Sequence, residues 1–200
     1  DLGAALDADG GNQEMADKAL ADIRSQVARM SGMLSGLLAY SRAGRKEDVR
    51  SLVDTRQLAH AIAGSLRPVA AIEVSIEGDW PQVETLEAPL DLAIRNLIDN
   101  AIKHHDRAAG AVRVSCARQA DHLVITVTDD GPGIAVEHQS AVFKPFVRLK
   151  PGEDSESSGV GLSIVRRAVE AAGGTLRLAS PVADGRGTAF IIIWPAAIVA

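Results

Sequence analysis

The sequence predicts an α+β layer, one sheet with helices on one side, preceded by a long coiled-coil-like helix. Three observations carry this reading. Apolar residues near the start recur in steps of four and three. Beyond residue 50 short alternating stretches interleave with helical patterns. With aromatics at only 3% of 200 residues, the core must be built from Leu, Ile, Val and Ala.

Residues 12–43 read as one helix. Ala16, Leu20, Ile23, Val27, Met30, Leu34 and Leu37 form a heptad seam, with Asp17, Lys18, Asp22, Arg24 and Arg29 off it. Such a stripe packs either against its own domain or in a bundle with another helix or chain. The polar stretch 41–50, with Gly44 as helix stop, reads as a linker, so the expected organisation is 1–43 helical, 44–50 linker and 51–197 a second domain. There Asp54 is placed to cap a helix over 55–66, ended by Pro68, and 72–76 alternates as a strand. Pro89 opens a helix with Leu90, Ile94, Leu97, Ile98, Ala101 and Ile102 on one face. Strands are expected at 112–117 and 123–128, a polar loop at 147–158, a helix at 160–172 stopped by Gly173 and Gly174, and strands at 176–179 and 188–194.

A net charge of −5 and a pI near 5.5 argue against a general nucleic-acid or anionic-membrane surface. The single Cys116 excludes an internal disulfide framework and a Cys-rich zinc module, and fits a reducing, cytoplasmic setting. The start lacks a basic and apolar leader. The most apolar stretch, 190–194, falls far short of the roughly 20 residues a bilayer needs. A chain beginning at Asp1 reads as a piece of something longer.

Four segments of the second domain carry chemistry. In NLIDNAIKH (96–104), Asn96, Asn100 and Lys103 share one helical face. An amide oxygen is a hard ligand suited to Mg²⁺, and an ammonium beside it neutralises phosphate. The alternative is a solvated polar face. DDGPGI (129–134) follows a strand; its glycines let the backbone approach a flat ligand, and a carboxylate at the strand end can accept from an exocyclic amine. An empty tight turn is the competing reading. SGVGL (158–162) sits where a loop enters a helix, a ready anion site, and is not a Walker A loop because no Gly-Lys-Ser/Thr follows. GRGTAF (185–190) turns into a strand and is uninformative alone.

In order and spacing these four segments resemble the N, G1, G2 and final glycine boxes of the Bergerat-fold ATPases, shared by sensor histidine kinases, DNA gyrase, heat-shock chaperones and mismatch-repair ATPases. FKPF (143–146) resembles the F box of the histidine kinases, and residues 29–42 the second helix of their dimerisation and phosphotransfer domain. NAIKHHDR (100–107) and the closing strand 188–195 resemble the branch commonly joined to PAS or other sensory modules. The resemblance spans residues 14–195 and implies a Bergerat-type sandwich, a mixed and mostly antiparallel sheet with helices on one face.

By resemblance, ATP and Mg²⁺ are the expected cofactors. Asn100 would hold the metal, Asn96 and Lys103 would contact the phosphates, and His104 would lie near the ribose or phosphates. Asp129 would accept the adenine amine, with Gly131, Gly133 and Ile134 shaping the pocket and Thr188 supporting Asp129 through water. Gly159, Val160, Gly161 and Leu162 would hold the phosphates, with Arg148 a candidate for the γ-phosphate. Ser157 stands where many members have another glycine. Asn96 also stands where the water-hydrolysing relatives have a Glu base, and an amide cannot act as one. That favours transfer to a His.

No acceptor motif is present: residues 1–59 hold no histidine, so the acceptor is expected outside this chain, with residues 1–6 read as the last turns of a first bundle helix. His60, His105, His122 and His138 are expected to be solvated or structural. The implied partners are a response-regulator receiver domain, a second copy through the N-terminal helix, and an upstream sensory domain. The competing reading is a phosphotransfer or binding module with an inactive ATP site.

Overall fold

The computed structural model describes residues 49–66, 71–149 and 159–198, together with Met15, Ala19, Leu20, Ile23, Val27 and Met30. Those six positions are helical and exposed, including four of the expected seam. The rest of the 12–43 helix, most of the linker, Pro68, Ser157 and Ser158 lie outside the described residues.

Among the described residues the elements run β1 (Ser51–Asp54), α1 (Thr55–Ser65), β2 (Ala71–Gly78), β3 (Gln82–Thr85), α2 (Glu87–Lys103), β4 (Ala109–Gln119), β5 (His122–Asp129), α3 (Gly161–Ala171), β6 (Thr175–Ala179), β7 (Thr188–Pro195) and β8 (Ala197–Ile198). Single 3₁₀ turns at Val136–His138 and Ala141–Phe143 lie between β5 and α3. A five-stranded sheet in the order β2-β4-β5-β7-β6 is antiparallel except for the β2–β4 pair. That pair is parallel because the chain returns through β3 and α2 before adding β4.

Alternation decides which sheet face is covered. Val112, Val114, Cys116, Leu123, Ile125, Val127, Phe190, Ile192 and Trp194 are buried. The intervening Arg113, Ser115, Val124, Thr126, Ile191 and Ile193 are exposed or half-buried. Against the buried face lie Leu90, Ala93, Ile94, Leu97 and Ile98 of α2 and Val165 and Val169 of α3, at the three- and four-residue spacing of one helical stripe. Burial pushes the Cys116 thiol up to about 12, so it behaves as a small core hydrophobe.

Asp54 caps α1, its Oδ1 accepting from Gln57 N–H at 2.9 Å, as expected. Two details differ from the sequence expectation. α2 starts two residues before Pro89, with Leu90 N–H bonded to Leu86 O at 3.2 Å; Pro89 lies in the first turn, where a missing N–H costs nothing. A second, three-stranded sheet, β1-β3-β8, was not expected at all. Its strands have four, four and two residues, too few to show alternation. Buried Trp194 joins the sheets by donating Nε1–H to Thr85 Oγ1 at 2.7 Å.

Candidate active site

A cavity of about 370 Å³ opens between α2, the turn after β5, the start of α3 and the start of β7. Twelve of the fourteen residues singled out from the sequence line it: Asn96, Asn100, Lys103, His104, Asp129, Gly133, Ile134, Arg148, Gly159, Gly161, Leu162 and Thr188. The other two, Gly131 and Val160, are buried beside it. Gly131 acts through its backbone, and Val160 packs with Ile164, Ala168 and Leu92.

Asp129 ends β5 and pairs in register with Thr188 of β7. Burial pushes its carboxyl above the usual carboxylate range, opposed by the backbone N–H of Gly131, at 2.9 Å from Oδ1, and by the backbone of Thr188. The turns on either side are joined by Gly187 N–H to Gly131 O at 2.9 Å. Gly187 has φ +77°, and a Cβ there would stand 2.5 Å from Asp129 O, so only glycine allows this approach. Ser180 closes the same corner: its hydroxyl accepts from Ile134 N–H at 2.7 Å and donates to Gly187 O at 2.9 Å. Gln139 Nε2 donates to both Ile134 O and Ser180 O, at 3.0 and 2.7 Å.

Across the cavity, Asn96, Asn100 and Lys103 project from one face of α2. Asn96 Nδ2 donates to Leu92 O at 2.7 Å, and its Oδ1 lies beside Gly161. Lys103 Nζ is bonded to Asp99 Oδ2 at 2.7 Å, and both residues line the cavity. The N-cap residue of α3, Val160, makes no side-chain cap bond, so among the described residues the first N–H groups of α3, at Gly161 and Leu162, are open to an anion. The approach to α3 is fixed by Phe146 N–H to Gly159 O at 2.8 Å, with Gly159 at φ +68° against Val147 and Arg148. Beneath it Phe143 meets Phe190 edge-to-face at 6.2 Å and carries the Arg166 guanidinium 3.8 Å from its ring centre.

Sequence reasoning missed several lining residues: Asp99, Ala101, His105, Asp106, Pro132, Val142, Val147 and Leu149. Asp99, one helical turn before Lys103, was findable from i,i+4 charge spacing. The buried imidazole of His105, 1% exposed, was expected to be solvated or structural, and it bonds Asp130. Ser180 and Gln139 carry no motif signal.

The α2 side of the cavity presents oxygen donors of the kind that suit a Mg²⁺ ion. The amide oxygens of Asn96 and Asn100 and the Asp99 carboxylate are hard donors on one helical face, facing the uncapped helix end. Among the described residues there is no cluster of three His, Cys, Asp or Glu, so these residues suit an ion shared with a ligand's phosphates rather than an all-protein cage.

Residues 85–198 match the family described as histidine kinase-, DNA gyrase B- and HSP90-like ATPases. The chain is 34% identical over 181 residues to the methanogenesis regulatory histidine kinase FilI of Methanothrix harundinacea, covering 88% of this chain and 20% of that protein. It is 29% identical to the sensor protein kinase PmrB of Pseudomonas aeruginosa, over 89% of this chain and 38% of the relative. The chain thus spans well under half of these relatives. Among solved structures, the mycobacterial sensor histidine kinase MprB superposes with TM-score 0.65 at 32% identity, covering 76% of this chain and all of that one. Full-length ShkA, solved with AMPPNP, superposes with TM-score 0.74 at 25% identity, over 88% of this chain and 38% of that one. Motifs, cavity and relatives agree: the chain belongs to the sensor histidine kinases and carries their ATP-binding catalytic domain.

Proposed function

We propose that this chain is the catalytic part of a two-component sensor histidine kinase that transfers the γ-phosphate of ATP to a histidine of the dimerisation domain. From there the phosphoryl group passes to an aspartate of a response-regulator receiver domain. The observation that carries this reading is the convergence of four sequence segments, far apart in the chain, on one cavity with an amide, Asn96, where a hydrolase needs a base.

In this reading Asp129 accepts the exocyclic amine of adenine, Gly131 and Gly133 let the ring approach, and Ile134 and Leu162 give apolar contact. Thr188 supports Asp129. Gly159, Val160 and Gly161 shape the backbone that meets the phosphates at the start of α3, His104 lies at their edge, and Lys103 exchanges part of its pairing with Asp99 for phosphate. Asn100, with Asn96, would hold Mg²⁺, which when bound neutralises phosphate charge and fixes the polyphosphate conformation. An imidazole nitrogen attacks the γ-phosphorus as the bond to the β-phosphate oxygen breaks and ADP leaves. Asn96, Lys103 and Arg148 stabilise the charge on the transferring group. Residues 51–197 form the ATP-binding domain, 44–50 the linker, and 1–43 part of the helical region through which the parent protein pairs with a second copy. An upstream sensory module and a cytoplasmic location complete the proposal.

Calorimetry with Mg²⁺ and AMPPNP on this chain and on Asn100→Ala tests it. Loss of one metal ligand is expected to weaken binding at least about 100-fold, and EDTA should do the same to the unaltered chain. No binding by either protein would replace this reading with the inactive phosphotransfer module.

A further inference from the structure

The two residues that follow the phosphate-facing turn of α2 each reach across the cavity mouth to a different base-side turn. His105 Nδ1 lies 3.2 Å from Arg107 N and 3.3 Å from Arg107 O, while Nε2 faces a carboxylate oxygen, which only accepts, so Nε2 carries a proton. Nε2–H then donates to Asp130 Oδ1 at 2.9 Å, and the same oxygen accepts Ala111 N–H at 2.8 Å. Asp130 is the residue after Asp129. The ring lies where a side chain at position 110 would stand, and that position is Gly110.

Asp106 Oδ1 accepts from Arg186 Nη2 at 2.7 Å. Arg186 closes the hairpin turn before β7, its carbonyl accepting from Val182 and Ala183 and its N–H donating to Ala183 O, two residues before Thr188. Arg186 Nε is buried without a hydrogen-bond partner among the described residues.

We propose that His105 and Asp106 are positioning residues for base recognition, fixing the Asp129 and Thr188 turns at a set distance from the phosphate-binding face of α2. This rests on the nucleotide reading above. Each residue acts through its partner, His105 through Asp130 and Asp106 through Arg186, so the reach of the site from base to phosphate is set by one dipeptide. Without the His105 bond, Asp130 is left, among the described residues, with the backbone N–H groups of Ala111 and of its own residue, and the neighbouring Asp129 carboxylate gains freedom that binding must remove.

The test is calorimetric ADP binding with Mg²⁺ by the full 200-residue chain, its His105→Ala, His105→Gln and Asp106→Asn variants, with melting curves for each. His105→Ala should weaken ADP about tenfold and Asp106→Asn about threefold. His105→Gln, which places an amide N–H near the Nε2 position, should recover affinity to within about threefold of the unaltered chain. Equal weakening by Ala and Gln would overturn the proposal, because lost packing would then be the cause. So would unchanged affinity in both His105→Ala and Asp106→Asn. If His105→Ala does not fold, His105→Gln and the exposed Asp106→Asn decide the matter by the same limits. A chain that binds no ADP before any substitution overturns the nucleotide reading itself, an outcome distinct from normal binding that no variant disturbs.

Discussion

The two sides of the cavity are built differently. The proposed base side is a backbone construction: Asp129 and Thr188 are paired in register, Gly187 N–H reaches Gly131 O, and Ser180 and Gln139 bond main-chain groups of Ile134 and Gly187. The proposed phosphate side is a row of side chains, Asn96, Asn100 and Lys103, on one face of a helix whose opposite face is core. A rigid planar ligand rewards fixed backbone geometry. In the proposed reading a flexible, highly charged chain of phosphates is met by polar side chains and the N–H donors at the start of α3. Substitutions at the base side should therefore break a fixed geometry, while on the phosphate side those away from the proposed metal ligand Asn100 should be absorbed by degrees.

The largest effect expected of a single base-side side chain is at Asp129. Asp129→Ala removes a charged acceptor, and losing such a bond costs about 1.5–3 kcal/mol, or roughly 10- to 150-fold in ADP affinity. Calorimetry checks it. An unchanged Kd would mean that Asp129 does not read the base.

Adjacent carboxylates sharpen the comparison through pH. Burial raises the Asp129 pKa, so between the ordinary value near 4 and the raised one the native state holds more proton than the unfolded chain. Its contribution to stability is therefore complete below the ordinary value and lost as pH rises through the raised one. Asp130 has the opposite sign. The Ala111 N–H, and then His105, hold its carboxyl below the ordinary range, so its contribution is present above that range and lost as pH falls through the lowered value. Melting curves from about pH 3 to about pH 7 should show Asp129→Asn more stable than the unaltered ligand-free chain at neutral pH, the gain vanishing in acid. Asp130→Asn should be less stable at neutral pH, with the gap closing in acid. The same sign for both at neutral pH would break the distinction.

The same division explains how much the sequence disclosed. Asn96, Asn100 and Lys103 are legible because a helix repeats every 3.6 residues, so spacing alone puts them on one face. The long strands and the Asp54 cap are legible for similar local reasons. The base-side network is not. Gln139 meets Ser180 across 41 residues, Ile134 meets Ser180 across 46, and Arg186 meets Asp106 across 80, and no local pattern encodes such pairings. Strands β1, β3 and β8 stayed hidden because strands of four, four and two residues present too few alternations to register. Family resemblance supplied Asp129 and the glycines as single residues, while the bonds that hold them came only from the fold.

The smallest effect, and the most direct contrast with the base side, is expected at Gly161. Its backbone is not left-handed, so alanine meets no dihedral strain there, unlike Gly187 at φ +77°. What it meets is Asn96: a Cβ would stand 3.3 Å from Asn96 Oδ1. That contact is tight enough to shift the amide by a few tenths of an ångström, and the amide is not free to swing because Nδ2 is bonded to Leu92 O. Alanine also favours a helix over glycine by up to about 1 kcal/mol in an interior, less at the first helical residue. Gly161→Ala should therefore melt at or slightly above the temperature of the unaltered chain while binding AMPPNP about threefold more weakly. A fall in melting temperature, or a loss of affinity as large as that of Asp129→Ala, would mean that the phosphate side is as rigidly built as the base side.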